Sequence, residues 1–244
     1  MRSGTFYADD LAYVHHAGFT EYVRCAAPGV LQLLRGSGIR EGTVVDLGCG
    51  SGVLLARLGQ AGYRTMGVDV SPAFLRLARI HAPHARLLHG SAHTVPLPPC
   101  RAVTAIGEVL AYQSPGSGAE KGLQGVFERV HASLDTGGLF AFDLFVASAG
   151  APYALRSWRA GEDWAVHSES HEDRAAQRVH RHVTTFRRVG DTYRRSQEHH
   201  VLRVYDPHAV RRELREVGFQ VRTSRSYGSF EVPERRLVFV ARKG

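Results

Sequence analysis

Residues 44–52 read VVDLGCGSG. Asp46 stands two residues before the first of three glycines, Gly48, Gly50 and Gly52, with Cys49 and Ser51 between them. Glycine removes side chains from a turn, so backbone there can lie against a ligand. A phosphate-cradling loop would end in Gly-Lys-Ser/Thr, and this stretch has no lysine. A dinucleotide fingerprint needs Gly-x-Gly-x-x-Gly/Ala; counted from Gly48 its last position falls on Val53, and counted from Gly50 on Leu55. An acid beside bare backbone suits a cation better than a pyrophosphate. A second group with possible chemistry is His167, Glu169 and His171. On a strand these alternate residues share one face and bring three potential metal ligands together, but histidines, arginines and acids are mixed throughout that region, which also describes a solvated sheet face.

The elements around these residues follow from hydrophobic spacing. Leu11, Val14, Phe19, Tyr22, Val23, Val30, Leu31, Leu33 and Leu34 fall near helical spacing, with breaks expected at Gly18 and Pro28-Gly29. Strand and helix patterns then alternate: strands over 43–47, 65–70, 86–89, 102–106 and 139–145, and helices from Val53, from Pro72 behind a Ser71 cap, and over 123–134. After Gly150 the helical period vanishes. β-like runs over 164–168, 179–189 and 192–204 follow, the last two joined by Gly190-Asp191 as a two-residue hairpin turn. A helix opened by Asp206-Pro207 and two strands over 219–223 and 237–241 close the chain. This alternation predicts an α/β fold: a Rossmann-like, doubly wound, mostly parallel seven-stranded sheet with an inserted antiparallel β segment. The divisions expected are an N-terminal helical segment (1–40), an α/β core (41–150), the antiparallel insertion (151–206) and the C-terminal part of the core (207–244).

The chain has 244 residues, 43% hydrophobic and 22% charged, as in an ordinary soluble globular protein. No apolar run approaches the ~18 residues that span a bilayer. The opening MRSGTFYADD has no secretory apolar region, and the three cysteines, Cys25, Cys49 and Cys100, form no CxxC pair. A cytoplasmic protein with reduced thiols is the expectation, with no metal and no membrane contact. The net charge of +8 arises from 31 basic and 23 acidic residues, and most of the excess falls within 207–244. It is a diffuse arginine excess and lacks the dense basic stripe of a nucleic-acid face, so nucleic acid is not the expected partner.

Taken in order, these segments resemble the class I S-adenosylmethionine (SAM)-dependent methyltransferases. The acid-plus-glycine turn is followed by Gly67-Val68-Asp69-Val70-Ser71, then Gly90-Ser91-Ala92 before Val95-Pro96-Leu97-Pro98, then VTAIGEVLAY over 103–112, and finally LDTGGLFAFDL over 134–144. The resemblance covers roughly 40–145 and 207–244. The whole chain looks most similar to the small-molecule methyltransferases of the type 11 and type 25 groups. It implies SAM as cofactor and S-adenosylhomocysteine as product, with 1–40 a lid, 41–150 the SAM-binding core and 151–206 on the acceptor side. Tyr7, Asp46, Gly48, Cys49, Gly50, Gly52, Asp69, Val70, Ser91, Ala92, Gly107 and Glu108 would then form the cofactor site, with Asp46 facing the methionine ammonium and Asp69 accepting from both ribose hydroxyls. Ser91 stands where the family often has an acid that contacts adenine; its hydroxyl can still accept a hydrogen bond. Cys49 is read as a small filler inside the motif rather than a nucleophile.

The same resemblance implies an N-terminal lid that brings His15, beside Tyr7 and His16, towards the reacting groups as a general base. Glu108 and Tyr112 leave the fourth strand where an acceptor should lie; Glu108 would orient an acceptor amine or take its proton, unless it simply bonds a loop backbone. Trp158, Trp164, Tyr193 and Tyr205 of the insertion would wall the acceptor pocket. The function expected is methyl transfer to a small-molecule acceptor by in-line displacement. An RNA or tRNA methyltransferase, a SAM-binding protein without catalysis and a nicotinamide-dependent oxidoreductase are the alternatives.

Overall fold

The computed structural model describes residues 7–113 and 122–244. Two helices open it, α1 (Asp9–Phe19) and α2 (Glu21–Gly36). The alternating segment follows as β1 (Thr43–Leu47), α3 (Val53–Gln60), β2 (Arg64–Asp69), α4 (Pro72–His81), β3 (Arg86–His89) and β4 (Cys100–Ala105). A 3-10 turn at Val109–Ala111 precedes α5 (Gln124–Ser133) and β5 (Leu134–Phe145). The insertion contains β6 (Ala154–Ala160), β7 (Trp164–Asp173), β8 (Arg178–Val189) and β9 (Thr192–Arg203). Closing the chain are α6 (Pro207–Glu216), β10 (Phe219–Ser224), a small hairpin of β11 (Ser226–Tyr227) and β12 (Phe230–Glu231), and β13 (Arg236–Lys243).

The large sheet has seven strands in the order β10-β13-β5-β4-β1-β2-β3. Strands β1 to β5 pair in parallel, and β13 runs antiparallel to both its neighbours. From β1 the chain winds outward through β2 to β3, then returns to the other side of β1 for β4 and β5. Such a reversal opens a crevice at the carboxyl ends of the central strands, where ligands of open α/β sheets bind. Successive strand residues face opposite layers, as the two-residue period requires. Val44, Ala102, Leu139 and Val240 pack with α2 and α3, while Val45, Val103, Phe140 and Phe239 pack with α5 and α6.

The insertion is a four-stranded antiparallel sheet, β6-β7-β8-β9, and Val189 pairs with Thr192 across the Gly190-Asp191 turn. Strand β6 carries no sequence signal because six of its seven residues are exposed, so its side chains alternate without an apolar face. Helix α1 docks on this sheet through Leu11, Val14, Trp164, Val166 and Val183.

Of the two expected helix breaks, the first falls at Thr20, two residues past Gly18, and the second does not occur. Gly18 lies within α1, and a Cβ there would stand 2.4 Å from the Trp164 ring, so this glycine admits the indole. Pro28 and Gly29 lie within α2, where a Cβ on Gly29 would fall 2.2 Å from the Tyr227 carbonyl carbon. Close packing of α2 on β11 outweighs the local helix-breaking tendency. Among the described residues no helix is long and apolar enough to cross a membrane.

Candidate functional site

The glycine turn leaves β1 with three left-handed glycines, Gly48 at φ 66°, Gly50 at φ 52° and Gly52 at φ 84°. A Cβ on Gly48 would stand 2.5 Å from Val109, and one on Gly52 would stand 3.1 Å from the Ala78 Cα, whereas one on Gly50 would meet nothing within 4 Å. Gly48 and Gly52 therefore serve close packing, and Gly50 keeps its backbone open. The Gly50 N–H donates to Asp69 Oδ2 and the Ser71 N–H to Oδ1, both at 2.8 Å. This pair of bonds ties the turn to the end of β2. Burial pushes the Asp69 carboxyl up to about 6 against the pull of those backbone bonds.

Asp46 lies behind the turn. Thr104 Oγ1 on β4 donates to its Oδ1 at 2.6 Å. Burial pushes Asp46 up to about 7; the Thr104 bond opposes this and the Asp69 charge adds to it. The folded ligand-free chain thus holds an extra proton on Asp46 between about pH 4 and 7, and the stability associated with that proton is lost as pH rises through this window. Asp46→Asn removes the charge while keeping the Thr104 acceptor. The variant is expected to gain roughly 1–3 kcal/mol relative to the parent at pH 8 and little at pH 5, the difference between an ionisation cost that grows with pH and one poorly partnered amide N–H. Urea unfolding of both proteins at the two pH values measures this, and equal pH slopes would contradict the assignment.

A cavity of about 620 Å³ opens at the crevice. Of the sequence-predicted residues, Tyr7, His15, Gly48, Cys49, Gly50, Asp69, Val70, Ser91, Ala92, Gly107, Glu108 and Tyr112 all line it. Asp46 and Gly52 are not among the residues that line it. Cys49 packs beneath the turn, 2.7 Å from where a Gly67 Cβ would lie, and burial pushes its thiol well above the usual range, which leaves it an uncharged filler. Ser91 Oγ accepts from the His93 N–H at 3.1 Å, and Arg129 donates to the Ala92 carbonyl at 2.6 Å, so the turn after β3 is braced from within and from α5.

After β4 the chain turns through Gly107 at φ 94° and Glu108 at φ 68°. Asp143 on β5 holds this turn, accepting from Gly107 N at 2.9 Å and Glu108 N at 3.0 Å. The Glu108 carboxylate is buried between Arg236 at 3.0 Å and Arg181 at 3.4 Å. Burial acts to raise its pKa, but the two guanidiniums outweigh burial and hold it below the usual carboxylate range. A carboxylate held this way is a poor proton acceptor, and this geometry makes it the hub of an ion network. Arg181 also donates to Tyr112 Oη at 3.2 Å, and the Tyr112 and Tyr7 hydroxyls bond at 2.9 Å.

His15 lies against Tyr7 and Phe74, each ring 5.4 Å away. Burial, with smaller contributions from His16, Arg181 and His200, pushes it down to about 4, so it is neutral and weakly basic at pH 7. His16 reaches the glycine turn, its Nδ1 2.8 Å from Ser51 Oγ.

The insertion departs from expectation in the residues that wall the cavity. Leu155, Ser157, Val166, Ser168, Ser170 and Val183 face the cavity, and none of the four aromatic residues expected there lines it. Trp158 and Tyr193 are exposed, Trp164 is covered by α1, and the Tyr205 hydroxyl donates to the Leu110 carbonyl. Trp158 falls on the opposite face of β6 from the cavity-lining Leu155 and Ser157, whereas Trp164 shares the face of Val166 and Ser168 but is covered by α1. His167 sits 3.8 Å from Glu169, but His171 stacks instead on His180 at 5.3 Å. Among the described residues no group of three or more histidines, cysteines or acids is placed to hold a metal ion.

Sequence reading missed Thr104, Asp143, Arg181, Glu198 and Arg236. Thr104 in AVTAI and Asp143 in FAFDLF carried a signal, each a lone polar residue inside an apolar strand. The two arginines and Glu198 carried none, because their partners are distant in sequence.

Residues 44–138 match the family model described as "Methyltransferase domain". An uncharacterised methyltransferase of Synechocystis is 32% identical over 99 residues, 40% of this chain and 44% of that protein. The chain spans less than half the length of the curated relatives it matches. A SAM-dependent methyltransferase structure from Clostridium acetobutylicum superposes with a TM-score of 0.77 at 17% identity, covering 96% of this chain and 97% of that one. The SAM-bound amino pentose methyltransferase from Micromonospora echinaspora superposes at 0.74 and 18% identity over 100% of both chains. The fold is that of the class I SAM-dependent methyltransferases.

Proposed function

We propose that this chain is a SAM-dependent methyltransferase that acts on a small-molecule acceptor. The observation that carries the reading is the pairing of Gly50, whose bare backbone is open, with Asp69 at the neighbouring strand end, both on one cavity. The site fits the cofactor. Each Asp69 oxygen accepts one backbone N–H and retains a lone pair for a ribose hydroxyl. Asp46, held near its titration point by burial, gains from a cationic ligand by ionising. When bound, SAM supplies an electrophilic methyl group on a good leaving group.

The chain's own residues orient the acceptor, exclude water and leave its nucleophilic lone pair free. Glu108 and Asp143 are matched by Arg181 and Arg236, so neither offers an unpaired carboxylate to an ammonium ion. The positive charge of Arg181 also disfavours a protonated acceptor. An amine that enters unprotonated fits this arrangement, and its proton leaves after transfer without a strong base. The antiparallel sheet supplies the acceptor wall through Ser157, Ser168 and Ser170. The solved relatives named as sugar N-methyltransferase and amino pentose methyltransferase support an amine on a polar ring.

The test is methyl transfer from labelled SAM into a host-type extract separated into metabolite, RNA and protein fractions. Label in metabolites supports the proposal, and kcat/KM for the identified acceptor should then rise with pH up to that amine's own pKa. Label in RNA would overturn it and direct attention to the basic residues of 207–244. Binding of S-adenosylhomocysteine with no label in any fraction would support a protein that binds without catalysis.

A further inference from the structure

Helix α1 begins without a cap of its own, since Ala8 offers no side-chain acceptor. Glu198, on β9 and remote in sequence, takes that role. Its Oε2 accepts from the Tyr7 N–H at 2.8 Å and its Oε1 from the Ala8 N–H at 2.9 Å. His200 Nε2 lies 2.8 Å from the same Oε2 and fixes the carboxylate from behind. Negative charge at a helix N-terminus is favourable, and a carboxylate bonded to two N–H groups is stronger than a neutral cap.

The residue held this way is unusual. Tyr7 has φ 49°, a conformation that non-glycine residues rarely adopt. Its peptide is gripped from both sides: Glu198 takes the N–H, and Ser71 Oγ donates to the Tyr7 carbonyl at 2.7 Å. Ser71 is itself bonded to Asp69 through its backbone N–H. The Tyr7 ring is thereby set against Phe74, with centroids 5.0 Å apart, and its hydroxyl against Tyr112. Glu198, Tyr7, Ser71 and Asp69 form a continuous bonded path from the antiparallel sheet to the carboxylate of the glycine turn.

We propose that Glu198 is a positioning residue: it clasps the start of α1 so that Tyr7 closes the cavity beside Asp69. The effect on ligand affinity rests on the methyltransferase reading; the clasp itself does not. The chain has two tryptophans, and Trp164 packs under α1 against Gly18 and Phe19 while Trp158 is 61% exposed. With Trp158→Phe as background, fluorescence reports whether α1 is docked.

The experiment compares the parent with Glu198→Ala and Glu198→Gln, ligand-free and then with S-adenosylhomocysteine. In Glu198→Ala, amide exchange across residues 8–12 should accelerate at least tenfold, and acrylamide quenching of Trp164 should rise. The dissociation constant for S-adenosylhomocysteine should increase ten- to hundredfold. Glu198→Gln keeps one carbonyl acceptor and should fall between the parent and Glu198→Ala in every readout, which also serves if the alanine variant does not fold. Unchanged exchange and quenching in the variants would overturn the clasp, whatever happens to affinity. Faster exchange in the variants of a parent that binds no S-adenosylhomocysteine would keep the clasp and reject the functional reading.

Discussion

Asp69→Asn should bind S-adenosylhomocysteine about 10²–10³-fold more weakly than the parent, with its thermal midpoint changed by only a few degrees. The substitution keeps volume but removes the charge and turns one acceptor into a donor. Charge-assisted hydrogen bonds are worth about 1.5–3 kcal/mol each, and two of them to one ligand diol account for a loss of that size. The stability effect is small because two changes oppose each other. One of the Gly50 and Ser71 N–H groups loses its acceptor. A buried carboxylate whose pKa had been pushed up to about 6 is also removed. The pH dependence follows from the same shift. The ligand needs both carboxylates ionised, so parent affinity should be level above about pH 7 and fall below it, through Asp46 and then Asp69, by up to tenfold per unit for each. Calorimetric titration from pH 5 to 8 would show this. Affinity within threefold of the parent at pH 8 would remove Asp69 from the binding site.

Glu108→Gln should be the costliest conservative change for stability. Glu108 sits 3.0 Å from Arg236 and 3.4 Å from Arg181, with almost no solvent access. Neutralising it leaves Asp143 alone against two buried guanidiniums, and breaking a buried pair by removing one partner costs about 3–5 kcal/mol. For a chain of this length that is a fall in midpoint on the order of 10 °C. Adding Arg181→Gln should recover part of the loss, since the two residues share one network and their effects are not additive. A general base would behave differently, losing kcat with no change in midpoint. A midpoint unchanged in Glu108→Gln would therefore refute the ion-network role and restore the proton-acceptor reading of this residue.

The glycine-turn end of the cavity was legible because its determinants are local. VVDLGCGSG is contiguous, and Asp69 follows one helix and one strand later, so spacing alone placed both at strand ends. The Glu108 end of the cavity was not legible. Arg181 on β8 and Arg236 on β13 converge on Glu108 from positions more than a hundred residues beyond the glycine turn, and no periodicity in a single sequence encodes that meeting. The aromatic residues of the insertion looked like pocket walls by type; the antiparallel register turned Trp158 and Tyr193 to solvent and gave the cavity serines and small aliphatics.

Sequence by itself determined the layered α/β architecture, the hairpin at Gly190-Asp191 and the carboxylate-and-glycine turn. Each depends on spacing within a few residues or on alternation of whole elements, which hydrophobic period and turn chemistry record directly. Tertiary structure alone decided that α2 runs unbroken through Pro28, that Glu198 caps a helix from nearly two hundred residues away, and that Glu108 is neutralised in an ion network. Those outcomes depend on which surfaces are buried together. Burial sets both the energy that overrides a local propensity and the dielectric that decides whether a carboxylate holds a proton, pairs with an arginine or remains free to receive a ligand.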